Sequence, residues 1–317
     1  SYYGVVGVRG IFRLQRIYLF PILMKPFLVF IGKILLVLLL SAFALDFIYT
    51  TVFAQSETRN KVENVINSKP HNYDVIILGT SRANNHFVSE LFEKEGLKTF
   101  NYGMSGAHLF ETSLMLKLMV ERGWNIKNII LETDLNLSNE KRDDGTFGRF
   151  MPFMHQSNTI TEHFKNEPDF TELYYVPFYR YIQFDSKVGF RAFYKSLQQE
   201  PTNTLANNGY YPLGFNPKAN MKNNIESLVP LRNRYFEEIK QICKSNNINL
   251  IAVTTPMCSN VKGMDYFKKV KKLYPEIKEY EHFVEGDHYF SSCGHLNDKG
   301  ARAYTSKIIE DLEFKRE

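Results

Sequence analysis

The chain reads as an α/β protein, a doubly wound, mostly parallel three-layer sheet preceded by one transmembrane helix. Two patterns predict this. From Asp74 onward, apolar runs short enough to be buried strands alternate with segments of helical spacing, while an earlier apolar stretch is too long and too uniform for a globular core. At 317 residues, 44% hydrophobic and 23% charged, the chain can bury one substantial core besides that stretch.

Residues 1–26 form a basic, membrane-proximal segment. Arg9, Arg13, Arg16 and Lys25 alternate with Ile11, Phe12, Leu14, Ile17 and Leu19, a pattern that suits a helix lying on a membrane surface. Ser1 is not an initiator methionine, so the natural start is expected upstream. Residues 27–54 form the expected transmembrane helix, interrupted only by Lys33 and Asp46; Ile34 to Phe53 supplies 20 residues, enough to cross roughly 30 Å of hydrocarbon. A core helix would show a polar stripe, and Phe53-Ala54-Gln55-Ser56 is a poor cleavage site, so a retained signal anchor is the reading. Basic residues crowd the N-terminal flank while Glu57 to Glu63 is of mixed sign. The N-terminus is therefore expected in the cytoplasm and the C-terminal domain outside the cytoplasmic membrane.

Residues 55–71 read as a polar linker or helical stalk, and residues 72–317 as the α/β domain. Its first strand is Asp74 to Gly79 (DVIILG), apolar throughout as a strand buried on both faces requires. A helix near Asn84 to Glu95, a short strand at Thr99 to Tyr102, a helix from Ala107 to Arg122 and the strand Asn128 to Glu132 follow. An aromatic-rich insertion over 143–220 breaks the alternation and is expected to cover one edge of the sheet, as a substrate lid or as a satellite core. Regular structure resumes with a helix through Leu231, Tyr235, Ile239 and Ile242, the strand Asn249 to Thr254 and a helix at Val261 to Leu273. A last helix, capped by Asn297, carries Ala301, Tyr304, Ile308 and Leu312 on one face.

Composition excludes some classes. The net charge of +5 resides partly in the basic flank, and no Lys/Arg stripe interleaves with aromatics, so no nucleic-acid partner is expected. Cys243, Cys258 and Cys293 lack CxxC spacing; an extracytoplasmic location permits one disulfide and leaves at least one free thiol. His282, His288 and His295 lack the spacing of zinc ligands, so no metal is expected, and the absence of a phosphate-binding glycine loop implies no nucleotide cofactor.

Four junctions carry candidate chemistry. At Gly79-Thr80-Ser81-Arg82 a buried strand ends in a small-residue turn before a helix; Ser81 is then either a nucleophile at the carboxyl edge of the sheet or simply the helix cap. At Asn101-Tyr102-Gly103-Met104-Ser105-Gly106 the amide of Gly106 is placed to complete an oxyanion hole with that of Ser81, or the segment is a plain turn. Asp134 and Asn136, after the NIILE strand, are further candidates to donate to or position an oxyanion, or are loop caps. His295, a turn before the last helix, is the candidate base: a helix start lowers an imidazole pKa, which suits that role near neutrality.

Together these blocks resemble the SGNH (GDSL-like) hydrolase superfamily, and especially its membrane-anchored bacterial branch linked to acylation of cell-surface polysaccharides. Ser81 matches the family nucleophile, Gly106 the oxyanion glycine, and His295, within Tyr289 to Asn297, the base. The resemblance covers roughly residues 74–312 outside the insertion, and its last block is the most specific. Two departures stand out. Ser292 occupies the position where the family has an Asp, and Glu132-Thr133-Asp134 replaces its Gly-x-Asn-Asp block. Three outcomes stay open: a Ser–His dyad with His295 oriented by a backbone carbonyl or by Ser292, an acid such as Asp287 substituting, or lost catalysis. The resemblance implies a serine-dependent acyl-ester hydrolase or O-acyltransferase acting on a cell-envelope polysaccharide, with a membrane-embedded acyltransferase as partner for transfer. The alternative is a catalytically degenerate subunit that binds glycan or scaffolds an envelope complex.

Overall fold

A computed structural model describes the backbone of residues 9–284 and 286–316, with side-chain burial from Met24 onward. Residues 1–8, part of the expected basic segment, lie outside the described residues. The chain divides into two compact units, 1–48 and 49–317.

The first unit is most of helix α1 (Arg9–Ala54). Its stretch Met24–Ala54 has 31 residues and contains an 18-residue window with a mean hydropathy of 2.7, none of which is buried. At the α-helical rise this reaches roughly 46 Å, so it is long and apolar enough to cross a membrane.

The second unit opens with the last turn of α1, where Tyr49 and Phe53 are buried. The 55–71 segment, expected as a linker, is packed into the domain. Helix α2 (Lys61–Asn67) buries Val62 and Val65 completely, and Asn60 caps it by accepting from the amide of Glu63. Four parallel strands follow: β1 (Asn72–Leu78), β2 (Thr99–Asn101), β3 (Asn125–Glu132) and β5 (Asn249–Val253), in the order β2-β1-β3-β5. Two-residue strands β4 (Asn223–Asn224) and β6 (Val261–Lys262) pair separately, and β7 (Phe290–Ser292) forms an antiparallel hairpin with β8 (His295–Leu296).

The apolar run of β1 is buried on both faces because alternate side chains join different cores. Ile76 and Leu78 pack with helices α5 (Leu109–Glu121) and α12 (Arg234–Ser245), whereas Val75 and Ile77 pack with α3 (Ser81–His86), α4 (Ser89–Lys94) and α14 (Asp298–Asp311). Each fully buried Val or Ile contributes roughly 1.5–3 kcal/mol, which fixes the register of β1 against both layers. Strand order reverses between β1 and β3, so the loops after their carboxyl ends flank the crevice where open α/β sheets bind ligands.

Local departures from the sequence pattern have identifiable causes. The single helix expected over Asn84 to Glu95 breaks at Phe87-Val88, because the Val88 amide donates to Thr305 Oγ1 and Asn101 Nδ2 donates to the Phe87 carbonyl. The helix expected from Val261 begins only at Asp265, since Val261–Lys262 is drawn into pairing with Asn223–Asn224; it is α13 (Asp265–Leu273). The insertion forms short helices α6 (Asp144–Phe147), α7 (Asn158–Phe164), α8 (Phe170–Tyr175), α9 (Tyr179–Gln183), α10 (Asp185–Val188) and α11 (Phe190–Leu197). Most of it covers the helix layer and not a sheet edge: Phe147 and Phe164 pack with Phe110 of α5. Its last turn, Asn203–Gly209, does reach edge strand β2, where a Cβ on Gly209 would lie 2.0 Å from the Asn101 carbonyl oxygen.

Candidate active site

The turn after β1 is built to expose one hydroxyl. Gly79 adopts φ +139°, a conformation side chains disfavour, and a Cβ there would sit 2.8 Å from Glu132 Oε2. Glu132, the last residue of β3, accepts from both the amide of Thr80 (2.8 Å) and its hydroxyl (2.7 Å). Thr80 Oγ1 in turn accepts from the Arg82 amide and caps α3. The cap is therefore Thr80, and the neighbouring hydroxyl of Ser81 is left for another partner.

That partner is His295. Ser81 Oγ lies 2.8 Å from His295 Nε2, across 214 positions of sequence. The other ring nitrogen, Nδ1, faces Ser292 Oγ at 3.4 Å, the long end of hydrogen bonding. With Nδ1 protonated and donating to Ser292, Nε2 is the acceptor a general base needs. Asp287 is exposed and, among the described residues, is not a partner of the ring, so Ser292 and not Asp287 stands behind His295.

Several contacts hold the hairpin that carries His295. The disulfide Cys258–Cys293 ties it to the loop after β5, leaving Cys243 as a buried free thiol. The Leu296 amide donates to His86 Nε2 at 3.0 Å, and the His86 and His295 rings meet edge-on with centroids 6.2 Å apart. Asn297 caps α14 as its sequence position predicts, accepting from the Gly300 amide. Burial lowers the His295 pKa below its ordinary value of 6.5; the guanidinium of Arg82 pushes the same way, and Asp134 opposes them. His86, wholly enclosed, is driven well below 6.5, first by burial and then by His295 and Arg82.

Asp134, a candidate to donate to or position an oxyanion or to cap its loop, accepts hydrogen bonds at both carboxylate oxygens. Its Oδ2 takes Arg82 Nη1 at 2.9 Å and Thr255 Oγ1 at 2.6 Å, and its Oδ1 takes the Thr255 amide at 2.6 Å. Its contacts brace Arg82. Asn136 is buried in the 3-10 turn Asp134–Ser138, where its carbonyl accepts from Asn233 Nδ2. Gly106 adopts φ +91° with Asp143 and Thr146 as its side-chain neighbours. Among the described residues, the amides of Ser81 and Gly106 make no hydrogen bond, so both remain available as donors.

Sequence reasoning assigned no role to four groups that support the site. Arg82 bridges Asp134 to the histidine loop: a Cβ on Gly294 would meet its Nη2 at 2.6 Å. Glu132 is fully buried, and burial, with the nearby charge of Asp134, pushes its pKa above the ordinary carboxylate value. Lys61 donates from Nζ to Asn84 Oδ1 and to the carbonyls of Gly103 and Gly209, fastening α2 beneath the glycine turn. Burial, and secondarily Arg149, lowers its pKa well below 10.5. His86 is the fourth. The readable signal was a charged residue closing an apolar strand, as in NIILE; for Lys61 the local sequence offers none, because its three acceptors come from distant turns.

No metal-binding cluster of His, Cys, Asp and Glu occurs among the described residues. A surface cleft of about 680 Å³ along edge strand β5, lined by Ile248, Asn249, Leu250 and Lys278, shares no residue with the Ser81–His295 pair.

Fold and site define a class: an α/β protein with a hydrogen-bonded serine–histidine pair in the loops around the carboxyl ends of a parallel sheet, following a helix apolar enough to span a membrane. No protein-family model matches the chain, and no curated protein matches it significantly.

Proposed function

We propose that this is a single-pass membrane-anchored serine hydrolase or O-acyltransferase of the SGNH type, with a doubly wound domain outside the cytoplasm acting on acyl esters of a cell-envelope polysaccharide. The observation that carries the reading is the 2.8 Å approach of Ser81 Oγ to His295 Nε2, with Thr80 taking the capping role that would otherwise occupy Ser81. In the reaction, Ser81 Oγ attacks the acyl carbonyl while His295 Nε2 takes its proton. The oxyanion is met by the Ser81 and Gly106 amides, and collapse expels the alcohol, which regains the proton from His295. Water or a glycan hydroxyl then accepts the acyl group by the reverse proton path. Transfer would draw its acyl group from a membrane-embedded acyltransferase partner. The basic flank of α1 favours a cytoplasmic N-terminus, which puts the site on the envelope side.

One observation favours a second reading, a non-catalytic subunit that binds glycan or scaffolds an envelope complex. No carboxylate reaches His295 Nδ1 among the described residues; Ser292 stands there. Labelling by a fluorophosphonate probe separates the two. Labelling of the full chain that vanishes in Ser81→Ala supports the enzyme, whereas no labelling under conditions that modify a working serine esterase supports the scaffold.

A further inference from the structure

Between helix α2 and the insertion lies a pocket of about 350 Å³ that the proposed reaction leaves without a role. Arg59 and Glu63 line it from the α2 side, Arg149 from the 3-10 turn Gly148–Phe153, and Asp185, Lys187, Arg191 and Lys195 from α10 and α11. All of them belong to the 49–317 unit. Lys195 is paired with Glu200, and Arg59 donates to the backbone carbonyls of Glu200 and Pro201. Arg149, Lys187 and Arg191 make neither an ion pair nor a hydrogen bond among the described residues. Of the acids, Glu63 is buried; its Oε1 accepts from Asn60 Nδ2 at 2.7 Å, and its Oε2 has no partner among the described residues. Burial raises the Glu63 pKa to about 7, so near neutrality this acid offsets only part of the positive charge. The Arg149 guanidinium is itself desolvated. Burial lowers its pKa, and the opposing charges of Glu63 and Asp143 stand beyond ion-pairing distance. A guanidinium drawn out of water with no partner is unfavourable until an anion meets it.

The pocket adjoins the glycine turn beside Ser81. A Cβ on Gly106 would lie 3.0 Å from Asp143 Oδ2, and a Cβ on Gly145 would lie 3.1 Å from the same oxygen and 3.8 Å from Lys187 Nζ. One carboxylate therefore separates the proposed oxyanion amide from the first unpaired cation. That carboxylate is already engaged, since Asp143 Oδ2 accepts from the Thr146 amide at 2.7 Å. From the other side, Lys61 donates to the Gly103 carbonyl at 2.7 Å, and its pKa is lowered first by burial and then by the charge of Arg149. Ser105 and Gly106 are exposed, so the turn between Ser81 and the pocket is open to a ligand.

We infer that Arg149, Lys187 and Arg191 form a subsite for the carboxylate of a sugar near the one whose acyl ester meets Ser81, so that the substrate is a uronate-bearing, acidic polysaccharide. The inference rests on the hydrolase or transferase reading of the Ser81–His295 pair. A guanidinium fork matches a planar carboxylate with two parallel hydrogen bonds. The acids Glu63, Asp185 and Asp143 around the cations favour a singly charged group over the doubly charged phosphate monoester.

The test follows fluorophosphonate labelling of Ser81 in the full chain with three additions: oligogalacturonate, the same oligomer fully methyl-esterified, and inorganic phosphate at equal anion concentration. Oligogalacturonate should slow labelling at about tenfold lower concentration than the esterified oligomer, the scale of a charge-assisted hydrogen bond. That difference should shrink as salt is raised. Lys187 is half-buried and Arg191 exposed, and Lys187→Gln with Arg191→Gln should bring the two oligomers to equal potency. Equal potency in the unmodified chain, a difference that salt does not reduce, or one that persists in the double variant overturns the subsite and leaves the serine enzyme standing. Phosphate as effective as oligogalacturonate overturns the glycan assignment. Absence of labelling, under conditions that modify a working serine esterase, overturns the enzymatic reading and the subsite with it.

Discussion

The guanidinium of Arg82 lies 2.9 Å from the carboxylate of Asp134, and both are buried. One residue follows the candidate nucleophile and the other follows β3, so this ion pair locks together the two loops that flank the crevice. Because Asp134 also holds Thr255 and Arg82 abuts Gly294, four chain segments converge on one pair of charges.

Removing the cation should therefore be costly. Arg82→Met leaves a buried carboxylate without its counter-charge and should cost about 3–5 kcal/mol in denaturant unfolding. A loss under about 1 kcal/mol, the scale of a surface pair, would reject the bracing role.

The base must be neutral to act, and burial with Arg82 lowers the His295 pKa. The rate of probe labelling should rise with pH along an acid limb below 6.5 and be level above it. Stability follows the same sign. The folded-state pKa values of His295 and His86 lie below the unfolded value, so the neutral rings contribute fully above 6.5, and that contribution is lost as pH falls through the folded values. A labelling midpoint above 6.5 would contradict the assignment.

Ser292 stands 3.4 Å from His295 Nδ1, where a carboxylate would stabilise the imidazolium. Ser292→Asp should raise the labelling rate by about tenfold or more, a part of what the acid contributes in serine triads. An unchanged or lower rate in a folded variant counts against the oriented dyad.

The Cys258–Cys293 disulfide closes a separation of 35 residues next to the base. Replacing both cysteines by Ser should cost about 2–4 kcal/mol and slow labelling of Ser81 by loosening the hairpin. Cys243 is buried with its thiol pushed up to about 12. Alkylation of the native protein should thus modify no cysteine, and reduction should expose two; modification before reduction would refute the pairing.

Much of the fold was legible because burial on both faces demands apolar residues without alternation. DVIILG and NIILE announce parallel strands, and Asn297 announces the start of α14 through its side-chain acceptor. The site was legible in part: Ser81 follows from a small-residue turn at a strand end, and His295 from its place a turn before the last helix. The capping role of Thr80 was not, since Thr80 and Ser81 are equivalent caps until Glu132 fixes the turn from another strand. Nor was the break at Phe87-Val88, where Thr305 and Asn101 capture backbone groups that a local pattern assigns to a helix.

By itself the sequence determined the apolar N-terminal helix, the succession of most strands and helices along the chain, and the candidacy of Ser81 and His295. Those depend on local hydrophobicity and on backbone preferences within a few residues. The tertiary structure decided what surrounds them: Arg82 on Asp134, Lys61 under the glycine turn, Cys258 bonded to Cys293, and Ser292 behind the ring. Each is a contact between distant segments, and its energy depends on burial and on which donor faces which acceptor, quantities that exist only once the chain has packed.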